Sequence, residues 1–293
     1  MTSSIVPATT TISEAPAREA RRAPRGTLAR IFRPNAAVAA GTYRAIVAAE
    51  LALLGGAWLL MPAIIPGPAR MLAAFRELVL RQGLAGELWT SLVLNLEALA
   101  LSTVLSLLAA YGAAVPAVRP LTALVAKGRF LSLIGLSFLF TVLVGGGHPL
   151  KLALLTFGMG VFFVTSMADV VVQTPRDRLD YARTLRMGEW RVLWEVVVLG
   201  NLGAAFDIVR QNAAMGWLML TMVEGLVRGE GGIGRLLLDQ EKHFSLAAIM
   251  AVQGVFVLVG IGQDSFIGWL KSVCVPHAAL AYRKDREASR LSS

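Results

Sequence analysis

Cysteine is nearly missing from this chain: Cys274 is the only one among 293 residues. That excludes an internal disulfide and a cysteine metal cluster. Histidine is just as sparse. His148, His243 and His277 are scattered, with none at metal-ligand spacing from another. There is no GxxxxGK[ST] phosphate-binding loop and no GxSxG nucleophile elbow. With no metal spacing and no nucleophile constellation, the chain reads as a non-enzyme that needs no cofactor. The first thirty residues hold no apolar stretch, which argues against a secretory signal. Charge is also scarce, at 16% of residues against about a quarter in soluble domains.

Apolar length takes its place. The chain is 56% hydrophobic, with a mean hydropathy of +0.63, and its apolar residues come in runs of about twenty, enough to cross a bilayer core. Backbone polar groups in lipid must be satisfied internally, so the expected fold is an all-α polytopic helix bundle. The net charge of +9 fits cytoplasmic Lys and Arg flanking membrane spans better than nucleic-acid binding.

The runs predict about six spans: Ile46–Ile65, Leu92–Val115, Phe130–Gly145, Leu150–Val172, Gly203–Leu226 and Leu246–Leu270. Residues 1–44, with Arg18, Arg21, Arg22, Arg25, Arg30 and Arg33 against Glu14 and Glu19, read as a disordered basic tail. Residues 45–276 form the membrane domain and 277–293 a C-terminal tail. With the N-terminus inside, twenty of the 28 Lys and Arg lie on the cytoplasmic side and seven outside. The expected topology therefore has both termini in the cytoplasm.

One cytoplasmic segment is longer and more regular than a connection requires: TPRDRLDYARTLRMGEWRVLWEVVVLGNL, from Thr174. Thr174 is placed to cap a helix, with Pro175 at its first position and Asp177 completing a capping box. Leu179, Ala182, Leu185, Trp190, Leu193, Trp194 and Val197 recur at helical spacing on roughly one side. Arg176–Asp180 and Asp180–Arg183 are spaced to pair, and Gly188 offers a break between two short helices. An amphipathic element of this kind lies on lipid, packs on its own bundle, or enters a partner's groove. The pattern alone does not choose among these.

The run Asp180, Ala182, Arg183, Thr184, Leu185, then Trp190 and Val197-Val198-Leu199, resembles the EAA loop of permease subunits of ATP-binding cassette importers, which reads E-A-A-R-T-L-G-A-S-x-W and then V-V-L-P. Arg210, Gly216, Trp217 and Glu224 keep that family's order in the fifth span, Gly232-Ile233-Gly234 is similar to its G-L-G, and Phe244 and Gly260-Ile261-Gly262-Gln263-Asp264 resemble its final span. Pro66-Gly67-Pro68 and Gly86-Glu87-Leu88-Trp89 look like the branch that handles nitrate, sulfonates and taurine. The resemblance covers about residues 46–276.

It implies a type I importer permease in the bacterial inner membrane. The partners it implies are ATPase subunits, an extracytoplasmic solute-binding protein, and a second permease copy or a sibling permease. Asp180, Tyr181, Ala182, Arg183, Thr184, Leu185, Gly188 and Trp190 would couple to the ATPase. The alternatives are a stand-alone secondary transporter or channel, or a diverged permease with weak coupling. Four departures bear on coupling: Asp180 for Glu, Tyr181 for Ala, Arg186 at the family's turn Gly, and Gly200 for the Pro of V-V-L-P. Either Gly188 supplies the turn in a shifted register, or tight coupling is lost.

Charges inside spans face the bundle interior or water. Arg210, Gln211, Trp217, Glu224 and Glu97 are therefore candidates for a solute path or a subunit contact. Arg210 has a plainer alternative, pairing with Asp207 or reaching the cytoplasmic edge.

Overall fold

A computed structural model describes residues 40–60 and 65–275. The predicted tails lie outside these residues, apart from residues 40–44, which are helical. The chain divides into two units, one ending at Ala57 and the other beginning at Trp58. Helix α1, Ala40–Leu60, belongs largely to the first and carries the start of the predicted first span.

The described residues of the second unit are mostly helical, with no strand among them. Its elements are α2 (Pro68–Arg81), α3 (Leu84–Gly112), α4 (Arg119–Lys127), α5 (Leu133–Val144), α6 (His148–Val172), α7 (Arg176–Thr184), α8 (Glu189–Val192), a π-helical turn (Leu193–Leu199), α9 (Leu202–Leu226), α10 (Ile233–Lys242) and α11 (Leu246–Cys274). Proline opens several of them. It occupies the first turn of α2, α4 and α6, where its missing N–H has no helical partner to lose.

Among the described residues, α3, α6 and α11 are each long and apolar enough to cross a membrane; two bent pairs raise the number to five. The fourth, fifth and sixth predicted spans correspond to α6, α9 and α11. The second starts earlier than predicted, at Leu84. The predicted third span, Phe130–Gly145, is not a straight crossing. α5 has 12 residues, about 18 Å at 1.5 Å per residue, short of a core of about 30 Å. Leu131 and Ser132 are extended, and the chain bends by 119° between Arg119–Phe130 and α5.

The core lies where α3, α6 and α9 meet. Leu94, Ala98, Leu154, Leu155, Met159, Leu220 and Val223 are almost fully buried there. A smaller cluster joins Ala110, Phe163, Met167, Ala205 and Ile208. In lipid such helices associate by close packing and hydrogen bonds rather than by expelling water, so small residues matter at the contacts. A Cβ on Gly158 would lie 2.8 Å from the Met219 sulfur, and one on Gly216 would collide with Asn95 Oδ1.

Candidate functional site

Two short helices and a π-helical turn build a hook between α6 and α9. Its base is tied by Asn201, whose Nδ2 donates to Thr174 Oγ1 at 3.0 Å and to the Val197 carbonyl at 2.8 Å. Thr174 therefore does not cap α7 as predicted; its hydroxyl donates back to Val170 in α6 at 3.3 Å. Pro175 occupies the cap position, with no side-chain cap bond.

α7 ends in a Schellman motif. The Met187 N–H reaches the Ala182 carbonyl and the Arg186 N–H reaches Arg183. This closure needs a left-handed residue, and Arg186 supplies it at φ 55°. Gly188 does not take over that turn. Its backbone, φ −65° and ψ 151°, suits any residue, and it caps α8. A left-handed non-glycine residue costs about 1 kcal/mol. Gly200 is constrained more tightly, because a Cβ there would collide with the Val196 carbonyl oxygen.

Arg183 locks the two helices together. Its Nε and Nη2 donate to the two oxygens of Glu189, at 3.1 and 3.2 Å, and its Nη1 donates to Asp180 at 3.1 Å. Glu189 first, then Asp180, hold this guanidinium protonated above its ordinary range. Of the two predicted pairs, Asp180–Arg183 forms and Arg176–Asp180 does not.

The predicted single apolar face is split in two. Ala182, Val192 and Val197 turn inward and are buried, whereas Tyr181, Leu185, Trp190 and Trp194 are exposed, Trp190 by 75%. Thr184 is also on the exposed side, its hydroxyl bonded to the Tyr181 carbonyl at 2.6 Å. The hook thus presents a rigid aromatic and aliphatic surface. Beside it lies a crevice of about 380 Å³, lined in part by Pro116, Leu179, Trp190 and Val197.

Three separate polar groups lie among the described residues of the spans. The first joins α9 to α11. Arg210 Nε and Nη2 both donate to the Asp264 carboxylate, and Lys271 Nζ donates to Asp207 at 2.6 Å. The simpler expectation, an Arg210–Asp207 pair, is not what forms. Gln211 is exposed beside them.

The second group is buried. Trp217 Nε1 donates to Gln263 Oε1 at 2.6 Å, and Asn95 Nδ2 reaches the same oxygen at 3.2 Å. The Trp217 ring also meets Phe256 edge-on, 5.5 Å between centroids.

The third group holds the start of α10. The N–H groups of Gly232, Ile233 and Gly234 donate to Glu87, Ser91 Oγ and Glu224 Oε2. Ser91 Oγ also donates to Glu224 Oε1 at 2.6 Å. Lys151 Nζ donates to the Gly231 carbonyl at 2.8 Å. Two carboxylates therefore meet the positive end of a helix. Glu224 is fully buried here, while Glu97 is half-exposed and pairs with His148 Nε2 at 2.9 Å. The G-L-G-like motif is explained by space: a Cβ on Gly232, at φ 113°, would run into the Glu224 carboxyl group.

Sequence reasoning missed Asn201 and Glu189, and it met Glu87 and Ser91 only in the stretch that resembles the nitrate, sulfonate and taurine branch, with no role for either. Glu189 alone carried a local signal, standing at the start of a helix and six residues after an arginine.

No family model matches the chain. Over 118 residues it is 27% identical to the bicarbonate transport system permease protein CmpB of Synechococcus elongatus, covering 38% of this chain and 42% of that protein. Over 123 residues it is 24% identical to the nitrate import permease protein NrtB of a Synechocystis species, covering 40% and 44%. The chain is thus an all-α membrane helix bundle similar, over less than half the length of each curated relative it matches, to permease proteins of bicarbonate and nitrate transport.

Proposed function

We propose that this chain is the membrane-spanning subunit of an ATP-driven importer of small anions, bicarbonate or nitrate foremost, in the bacterial inner membrane. Each of its two copies, or one copy and a sibling, takes a separate ATPase. A solute-binding protein delivers cargo from outside. The Lys and Arg bias supports a cytoplasmic hook and cytoplasmic termini, and the similarity to bicarbonate and nitrate permeases supports the solute class.

One observation carries the reading: the stapled hook with Tyr181, Leu185, Trp190 and Trp194 bare on its outer side. Exposed aromatics held on a rigid support are the usual anchors of a protein interface. Fixed at both ends to long helices, the hook can pass a partner's closing movement to α6 and α9 as a rigid-body shift. ATP chemistry belongs to the partner, because this chain has no phosphate-binding loop of its own.

The test is co-purification with candidate ATPases from the same genome, followed by solute-stimulated ATP hydrolysis. The double variant Asp180→Lys with Leu185→Asp abolishes both association and stimulation if the hook is the coupling element. Unchanged association and turnover overturn the assignment.

A further inference from the structure

Arg210 and Asp264 meet as two planar groups, fork to fork, with both carboxylate oxygens accepting from one guanidinium edge. Such bidentate geometry is selective for anions that offer two oxygens side by side. Arg210 stands eight residues beyond Leu202 in α9, about 12 Å along the axis. Asp264 stands ten residues before the end of α11, about 15 Å from it. Nearly half of each side chain remains exposed, 47% and 44%.

Charges this far into a span are expensive against hydrocarbon, so the exposed side of the pair faces water or protein. Gly268 lies beside the guanidinium, with a Cβ built there 4.0 Å from Cζ. A side chain at 268 would extend from there across the guanidinium. The neighbouring pair, Lys271 with Asp207, uses a compact ammonium with no fork. Of these two pairs, only the one at Arg210 offers a fork to an oxygen pair.

We propose that the Arg210 fork is a solute-binding station for small oxoanions and that the Asp264 carboxylate is its built-in competitor, held there when no solute is present. The inference rests on the importer reading and names its solute contact. A resident carboxylate reduces the apparent affinity by the fraction of time it occupies the fork, which suits a path that must both accept and release.

The test is direct binding to the full chain in lipid nanodiscs, with no ATPase present. Nitrogen-15-labelled arginine reports the Nε–H resonance of Arg210, assigned by its loss in Arg210→Lys. Titration with nitrate or bicarbonate shifts that resonance saturably, and chloride, which has no oxygen edge, does not. Asp264→Asn tightens nitrate binding by about tenfold by freeing the fork. A resonance unmoved by nitrate and bicarbonate, an equal response to chloride, or unchanged affinity in a folded Asp264→Asn protein overturns the proposal. The wild-type titration decides alone if that variant does not fold. Failure here leaves ATPase co-purification intact, and failure of co-purification leaves this titration interpretable.

Discussion

Arg183 of α7 grips Glu189 of α8 with two parallel hydrogen bonds, at 3.1 and 3.2 Å, across the break between the two helices of the hook. The pair is exposed, so its worth lies in geometry more than in stability. It fixes the angle at which Trp190 and Leu185 are presented. Glu189→Gln keeps the shape but loses the charge-assisted fork. The expected result is faster amide hydrogen exchange across residues 183–192 with α6 unaffected, and a several-fold loss of solute-stimulated ATP hydrolysis at unchanged expression. Unchanged exchange in that segment would count against a stapled hook.

Arg186 offers the opposite kind of change, a substitution that improves the local structure. It holds the left-handed position of the Schellman motif at φ 55°. Arg186→Gly removes a strain of about 1 kcal/mol. The Met187 amide, bonded to Ala182, should exchange more slowly in the variant. Gly188→Ala should be neutral, because its φ is −65° and a Cβ there meets nothing within 4 Å. If Gly188→Ala is the disruptive change and Arg186→Gly is not stabilising, the turn is made in the other register.

Gly232 and Glu224 test the cap on α10. Glu224→Leu leaves the Gly234 N–H and the Ser91 hydroxyl without their buried acceptor, a loss of about 1–3 kcal/mol for each unsatisfied group. Gly232→Ala drives a methyl group into the same carboxylate at a φ that disfavours any side chain. Both variants should lower the thermal midpoint of the detergent-purified chain. A residue exposed to solute alone would change uptake and leave that midpoint in place, so the measurement separates a structural Glu224 from a path-lining one.

The long spans are legible in the sequence because membrane length and apolar composition leave little choice, and α6, α9 and α11 follow the predicted runs. The third span is not legible, because the apolar run at 130–145 says nothing of the extended Leu131 and Ser132 that break it. The hook is legible as two short helices broken near Gly188. Which of its apolar residues turn inward is not, since Ala182 and Val192 are buried while Leu185 and Trp190, at the same helical spacing, are bare. Pairings across helices are the least legible. Local spacing offers Asp207 to Arg210, three residues away, yet the partner is Asp264, 54 residues away. Asp207 is engaged by Lys271, and the facing helix brings both Asp264 oxygens onto one guanidinium edge.

Along α9 the charges run Asp207 then Arg210, and along the facing α11 they run Lys271 then Asp264, so each meets its opposite. Sliding α11 one way would bring Lys271 toward Arg210, and sliding it the other way would bring Asp264 toward Asp207, like against like, so the two pairs favour one register of α9 against α11. Asp207→Lys places two ammonium groups where a pair stood, and the expected outcome is poor expression and a lowered thermal midpoint. Adding Lys271→Asp restores the pair in reversed order and should recover most of the midpoint, though it leaves the introduced ammonium beside Arg210 on the same helix face. Recovery in the double variant identifies a direct partnership, because a mutation that merely tolerated charge loss would gain nothing from the second change. If the two single effects simply add, Lys271 and Asp207 do not pair in the membrane and the register must be set elsewhere, by the Trp217–Gln263 bond one layer deeper.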